Sequence, residues 1–261
     1  MAHQNETLEK LATPIAIVIA GGLIAAAVYF VGSQNAGTVA IGAGSAGQVA
    51  GAAQLVTTAA QMKTIIAGEK FTNAYLDPSA SGSADTFIGN VNAPVTMTYW
   101  FDYQCPFCKQ FETTVMPTLV EQYVNTGKLK IVFKSFPFLG NDSTIAAEYA
   151  KAIWELYPTK FYQWHTDMFV VQDAEGDTGF GDAKTIDTLI SLIPGLDDGK
   201  IKAAITANKA RYDQEIAAEQ KDGGTNGVTG TPGFIVGKQL IAGAEPLASF
   251  TQVIDAALKG K

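Results

Sequence analysis

Cys105 and Cys108 are the only cysteines in the chain, and two residues separate them. A structural disulfide gains most by closing a long loop, and this pair would close one of the shortest, so it makes a poor staple. A zinc site normally takes four ligands, and the only histidines, His3 and His165, lie far from the pair and from each other in sequence. No metal and no other cofactor is expected. The chemistry left to two thiols at this spacing is thiol–disulfide exchange, in which the thiolate is the nucleophile.

That chemistry needs elements that hold one sulfur where its negative charge is stabilised. Val95-Thr96-Met97-Thr98-Tyr99-Trp100-Phe101 is β-prone and uninterrupted, and reads as a central strand. After Asp102-Tyr103-Gln104, the pattern turns helical, with Phe111, Val115, Leu119 and Tyr123 four apart. Cys105 then stands at a helix N-terminus, where unpaired N–H groups and the helix dipole lower a thiol pKa. Pro106 suits the first turn, having no N–H to lose. Cys108 lies one turn further in, as the more buried, resolving thiol. Two packed thiols without chemistry are the bland alternative.

Pro117 predicts a kink in that helix, and Leu129 to Phe136 a second strand, which completes a βαβ unit with parallel strands. Residues 141–223 read as helices around Ala146–Trp154, Phe161–Val171, Lys184–Ile193 and Lys200–Lys221. Then come two short strands, GFIV and QLIAG, joined through Gly237-Lys238, and a last helix from Leu247 to Leu258. Thr231-Pro232 precedes the first of these strands, either as a plain turn or as a cis proline set against the active site. His165 reads as a core or surface histidine rather than a base. Asp102 reads as a solvated carboxylate at the strand end, with proton transfer as the alternative role.

The first part of the chain is different in kind. Residues 1–10 form a polar tail. Residues 11–31 carry no charge and, as a helix, span about 31 Å, the thickness of a bilayer core. They are expected to be a transmembrane anchor contacting lipid, with a cleaved signal peptide as the alternative. Lys10 and the amino terminus favour a single-pass protein of the cell membrane with its bulk on the extracytoplasmic side. Residues 32–84 begin as a Gly/Ala-rich linker, and Leu55, Ala59, Met62 and Ile66 then form one helical stripe. That stripe suits a stalk for oligomerisation or a helix packed on its own domain, and the second is preferred. The net charge of −7 and the single arginine, Arg211, leave no basic surface for nucleic acid.

From about Thr86 to Leu258 the sequence resembles the DsbA-like branch of the thioredoxin superfamily. The matching stretches are Ile88-Gly89-Asn90, Ala93-Pro94-Val95-Thr96, Asp102-Tyr103-Gln104-Cys105-Pro106-Phe107-Cys108-Lys109, Pro117, Phe133-Lys134-Ser135-Phe136-Pro137 and Gly230-Thr231-Pro232-Gly233-Phe234. The resemblance implies an α/β thioredoxin-like fold over residues 85–261, with an inserted helical domain at about 141–223. It implies that Cys105 attacks and Cys108 resolves, that Pro232 is cis, and that the backbone of Thr231 pairs with substrate. Pro106 and Phe107 fall beside them as substrate contacts. Two positions depart from the pattern. Tyr99 stands where an acidic residue commonly serves the buried thiol, and Phe107 replaces the histidine of the strongest oxidants, which implies a weaker oxidant.

The expected function is a membrane-anchored oxidase that exchanges disulfides with unfolded or reduced exported proteins and is served by a membrane or soluble redox partner. A disulfide isomerase or reductase is the alternative within that class. A non-catalytic, anchored peptide-binding or chaperone module is the alternative outside it.

Overall fold

The computed structural model describes residues 55–69, 71–173 and 179–260. The expected tail, anchor and first linker residues lie outside them. Among the described residues no helix is long and apolar enough to cross a membrane.

A five-stranded sheet carries the fold, in the order β1-β3-β2-β4-β5. The strands are β1 (Thr86–Ile88), β2 (Val95–Phe101), β3 (Leu129–Ser135), β4 (Gly233–Val236) and β5 (Gln239–Ala242). β2 and β3 run parallel, as the βαβ reading requires, and the other pairings are antiparallel. β2 lies between β3 and β4, with Val95, Met97 and Tyr99–Phe101 buried and the alternating Thr96 and Thr98 half-buried. β1 was not anticipated. Three residues are too few to show a strand period, and only pairing with β3 makes them one.

Helix α1 (Ala59–Gly68) precedes the sheet. It opens on a capping box, in which the Gln61 backbone N–H donates to the Thr58 hydroxyl and the Thr58 N–H donates to the Gln61 side chain. α2 (Pro106–Thr114) and α3 (Met116–Leu119) follow β2, and a π-helical turn, Val120–Val124, extends α3. The expected kink is a full break at Val115. Pro117 has no N–H and its ring clashes with a carbonyl one turn back, so it starts a helix rather than continuing one.

α4 (Asn141–Leu156), α5 (Pro158–Val171), α6 (Ala183–Ser191) and α7 (Asp198–Thr225) form the helical insertion between β3 and β4, and α8 (Leu247–Lys259) closes the chain against β2 and β4. Glu219 of α7 pins this block to the sheet. Its carboxylate accepts from Ser135 N at 2.8 Å and from Lys151 Nζ at 2.6 Å, and its carbonyl accepts from Trp100 Nε1 at 3.0 Å. All three partners are buried or nearly so, and each bond satisfies a group that would be costly to leave unpaired.

α1 packs against α5 and α6 of its own domain, with Met62 fully buried. The stripe is narrower than its spacing suggested, since Leu55 is exposed and Ile66 half-buried. Val56 N donates to Asp173 Oδ2 at 2.8 Å, which fixes the entry to the helix. Met62→Ala should therefore destabilise the domain by about 2–5 kcal/mol in urea unfolding, the usual loss for a large buried side chain. An unchanged midpoint would show that α1 is not part of the cooperative fold.

Candidate active site

β2 ends at Phe101 and α2 begins at Pro106, and the four residues between them make the turn that presents the first cysteine. Cys105 is the residue just before α2, with extended backbone angles, and Pro106 occupies the first turn. Cys105 N donates to Asp102 O at 3.1 Å and Lys109 N to Cys105 O at 3.1 Å, closing the turn into the helix. Asp102 is not solvated, as the sequence suggested, but 2% exposed. Its carboxylate accepts from the N–H groups of Gln104, Phe138 and Leu139 at 2.9, 2.9 and 3.2 Å. A carboxylate holding three backbone donors fixes two loops against each other, and its oxygens face those donors rather than a proton path.

Both cysteines are free thiols. Cys105 Sγ lies 3.3 Å from Thr231 O, a hydrogen bond when the thiol is protonated, so the loop before β4 meets the start of α2. The Thr231–Pro232 bond is cis, as expected. Thr231 is half-buried and Pro232 buried, whereas Pro106 and Phe107 are exposed, Phe107 by 59%. The structure therefore gathers all six expected site residues at one end of the sheet, with the apolar ring of Phe107 facing outward.

The two thiols differ sharply. Cys105 is lowered from 9.0 to about 6, chiefly because the Cys108 thiol hydrogen-bonds its sulfur. The Thr231 hydroxyl and the N–H groups of Cys108 and Phe107 add to this, against the opposing effect of burial. Burial pushes the Cys108 thiol well up, and the hydrogen bond it gives to Cys105 raises it further. At neutral pH the arrangement is a Cys105 thiolate beside a Cys108 thiol. This is the asymmetry that attack followed by resolution requires.

Polar ties from the helical insertion hold the motif in place. Gln172 Nε2 donates to the carbonyls of Tyr103 and Cys105 at 2.5 and 3.2 Å. Lys109 Nζ donates to the Val170 and Gln172 carbonyls at 3.4 and 2.5 Å. His165 is a core histidine, fully buried, with Nδ1 2.9 Å from Tyr103 Oη and Nε2 3.0 Å from Glu112 Oε1. Phe138 is 52% exposed on the loop tied to Asp102. Gln172, Glu112 and Phe138 were missed in the sequence. Only Glu112 left a signal there, four residues after Cys108 and thus on the same helix face.

A family model described as thioredoxin matches residues 81–256. The chain belongs to the thioredoxin family. Its DsbA-like character follows from the relatives. It is 27% identical over 190 residues to disulfide bond formation protein D of Bacillus subtilis, covering 70% of this chain and 81% of that one. It is 27% identical over 182 residues to a probable disulfide bond formation protein D of Bacillus anthracis, covering 68% and 80%. Among solved structures, the thiol-disulfide exchange protein alpha-DsbA2 of Wolbachia pipientis is 26% identical with a TM-score of 0.58, covering 76% of this chain and 96% of that one. Oxidised BdbD of Bacillus subtilis shares the fold with a TM-score of 0.62 at 20% identity, over 72% and 98%. This DsbA-like chain thus has the expected α/β thioredoxin-like fold with its helical insertion.

The Cys105 assignment has a direct consequence for pH. Its folded pKa lies below the unfolded one, so thiolate stabilisation favours the reduced fold fully above pH 9 and is lost as the pH falls through about 6. Alkylation of the reduced protein by iodoacetamide should give a single fast site, Cys105, with a midpoint near pH 6. A midpoint at the ordinary thiol value would remove the thiolate from the site.

Proposed function

We propose that this thiol–disulfide oxidoreductase works as an oxidase of exported proteins, with Cys105 as the attacked and attacking sulfur and Cys108 as its resolving partner. The observation that carries the reading is the seat of Cys105 Sγ at the start of α2, beside the Cys108 thiol and the Thr231 loop, a setting that lowers its pKa and favours the thiolate. Whatever stabilises that thiolate stabilises the reduced enzyme, and a disulfide whose reduced form is stabilised is a stronger oxidant.

The reaction follows from the placement of the sulfurs. A substrate thiolate attacks Sγ of Cys105 in the disulfide form, the Cys105–Cys108 bond breaks, and Cys108 leaves with the electron pair and takes up a proton. A second substrate thiolate attacks the substrate sulfur of the mixed disulfide, forms the product disulfide and releases Cys105 as its thiolate. The two electrons then pass to a membrane or soluble redox partner. Pro106 and the exposed Phe107 and Phe138 offer an apolar face to unfolded chains, and the backbone of Thr231 lies beside the reacting sulfur. Phe107 adds no charge next to the thiolate, which supports an oxidant weaker than enzymes carrying histidine there.

Residues 11–31 serve, in this reading, as a single-pass anchor in the cell membrane that keeps the catalytic domain on the extracytoplasmic side. What supports it is the uncharged stretch of 21 residues, long enough for the hydrocarbon core.

With reduced, unfolded protein as substrate, Cys105→Ser should abolish exchange. Cys108→Ala offered a disulfide-bonded substrate should accumulate mixed disulfides, its Cys105 thiolate attacking the substrate disulfide and expelling one thiolate with no second cysteine to resolve the adduct. Both outcomes are visible on non-reducing gels. Unimpaired turnover by Cys108→Ala would overturn the assigned roles, and a reduction potential of the pair at or below that of thioredoxin, about −270 mV, would overturn the oxidase direction. In cells, the full chain should remain in the membrane pellet after carbonate washing, and recovery of a shortened soluble form would refute the anchor.

A further inference from the structure

Three consecutive residues of the catalytic turn are held from one place, and that place is not on the sheet. Tyr103, Gln104 and Cys105 lie between β2 and Pro106, and each is bonded to a residue that follows α5. Gln172 Nε2 gives one hydrogen to Tyr103 O at 2.5 Å and the other to Cys105 O at 3.2 Å. Gln104 Nε2 donates to Phe180 O at 3.3 Å. Gln172 and Gln104 are both buried, so these bonds are shielded from water.

The orientation of the Gln172 amide is forced, since a carbonyl oxygen can only accept. Among the described residues its Oε1, also buried, has no hydrogen-bond partner. A tie that only stabilised the fold would satisfy both ends of the amide. This one places both donors on the turn and leaves its own acceptor unpaired, which is costly in a buried setting. The backbone of Gln172 is fixed in return from the catalytic helix. Lys109, four residues after Cys105, donates from Nζ to Val170 O and Gln172 O at 3.4 and 2.5 Å. Those carbonyls belong to the last turn of α5 and its cap, where a helix leaves acceptors free. A side chain from each element thus grips the backbone of the other.

Asp173 carries the tie outward. Its Oδ2 accepts from Phe180 N at 2.9 Å and from Val56 N at 2.8 Å. Phe180 is the residue whose carbonyl holds Gln104, and Val56 leads into α1. Gly179 permits this close approach. A Cβ there would lie 2.1 Å from Asp173 Oδ2 and 2.9 Å from Leu55 Cδ2. One carboxylate oxygen therefore joins the segment entering α1 to the loop that steadies Gln104, and it is next in sequence to the amide that steadies Cys105.

The path to the sulfur is short. Negative charge on Cys105 Sγ is met by the Cys108 thiol, the Thr231 hydroxyl and the N–H groups of Cys108 and Phe107 in the first turn of α2. Those contacts depend on where the Cys105 peptide sits relative to that turn. Its carbonyl is held by Lys109 N at 3.1 Å and by Gln172 Nε2 at 3.2 Å. Without the amide, the Tyr103 and Cys105 carbonyls lose a buried donor, and their partial negative charge beside the sulfur is no longer offset.

We propose that Gln172 is a positioning residue for the Cys105 sulfur, and that Asp173 makes its grip depend on the docking of residues 55–68. Gln172 touches no reacting atom and acts through the backbone of the turn. The helical insertion and the segment ahead of the sheet thereby set how well the site holds negative charge on Cys105.

This role rests on the exchange chemistry proposed for Cys105, and the two fail separately. The full chain is assayed for the midpoint of Cys105 alkylation and for its equilibrium with a glutathione buffer at pH 8. Gln172→Met keeps the length of the side chain and removes both donors. The midpoint should rise by about one pH unit. A thiolate less well held makes the reduced form less stable, so the equilibrium should move about tenfold, or about 30 mV, toward the disulfide. Asp173→Ala should move the equilibrium the same way by about threefold, through the two bonds it removes. Asp173→Asn, which retains an oxygen for Val56 N and Phe180 N, should restore it. A loss of fold stability by itself moves neither reading.

Unchanged readings in a folded Gln172→Met overturn the positioning role. An unchanged equilibrium in Asp173→Ala, or a shift in Asp173→Asn as large as in Asp173→Ala, overturns the link to α1. If Gln172→Met does not fold, NMR of the unmodified chain decides: the Gln172 side-chain amide protons must resist exchange with solvent and shift as Cys105 titrates. Signals that exchange freely or hold still overturn the proposal. Should Cys105→Ser still exchange disulfides, the reading of the cysteines falls; should it be inactive while Gln172→Met is silent, only the role of Gln172 does.

Discussion

Negative charge on one sulfur is the constraint around which this fold is organised. Sγ of Cys105 must sit where backbone N–H groups, the Cys108 thiol and the Thr231 hydroxyl can all reach it. A helix has to begin at Pro106, and a strand has to end just early enough to deliver the chain there. A second loop, before β4, must come from 126 residues further along the sequence to lie beside the same atom. The sheet order meets both demands, because β2 and β4 are neighbours and their site-bearing ends coincide. The buried position of Cys108 follows from the same geometry, since one helical turn carries it from the mouth of α2 into the core.

Much of this was legible from residue types. The uninterrupted β-prone run from Val95 to Phe101 reads as a central strand, and it is one, between β3 and β4. Pro106 and the four-residue spacing after it mark a helix start that side-chain burial then bears out. The hairpin after Pro232 and the last helix were equally readable, because Gly237-Lys238 is a turn and Leu247 onward is periodic. These are local signals, carried by period and turn chemistry.

What the sequence withheld depends on distant pairing. Three residues at Thr86 become a strand only beside Phe133. Asp102 looks like any exposed carboxylate until the loop after β3 folds over it and supplies two of its three donors. Gln172 and Cys105 are 67 residues apart, and no local pattern announces their bond. The cis Thr231–Pro232 bond was expected from a family likeness and not from its neighbours. The site was therefore readable in its cysteines and unreadable in its supports.

Those supports share a property. Gln172 grips the carbonyls of Tyr103 and Cys105, Lys109 grips the carbonyls of Val170 and Gln172, and Asp102 grips amides. None of these bonds touches the side chains of Pro106 or Phe107. The platform is thus blind to the identity of the dipeptide between the cysteines, which projects outward as a replaceable cassette. Scaffold and chemical tuning are thus physically separate here, and the two residues between the cysteines can be exchanged without breaking any bond of the platform beneath them.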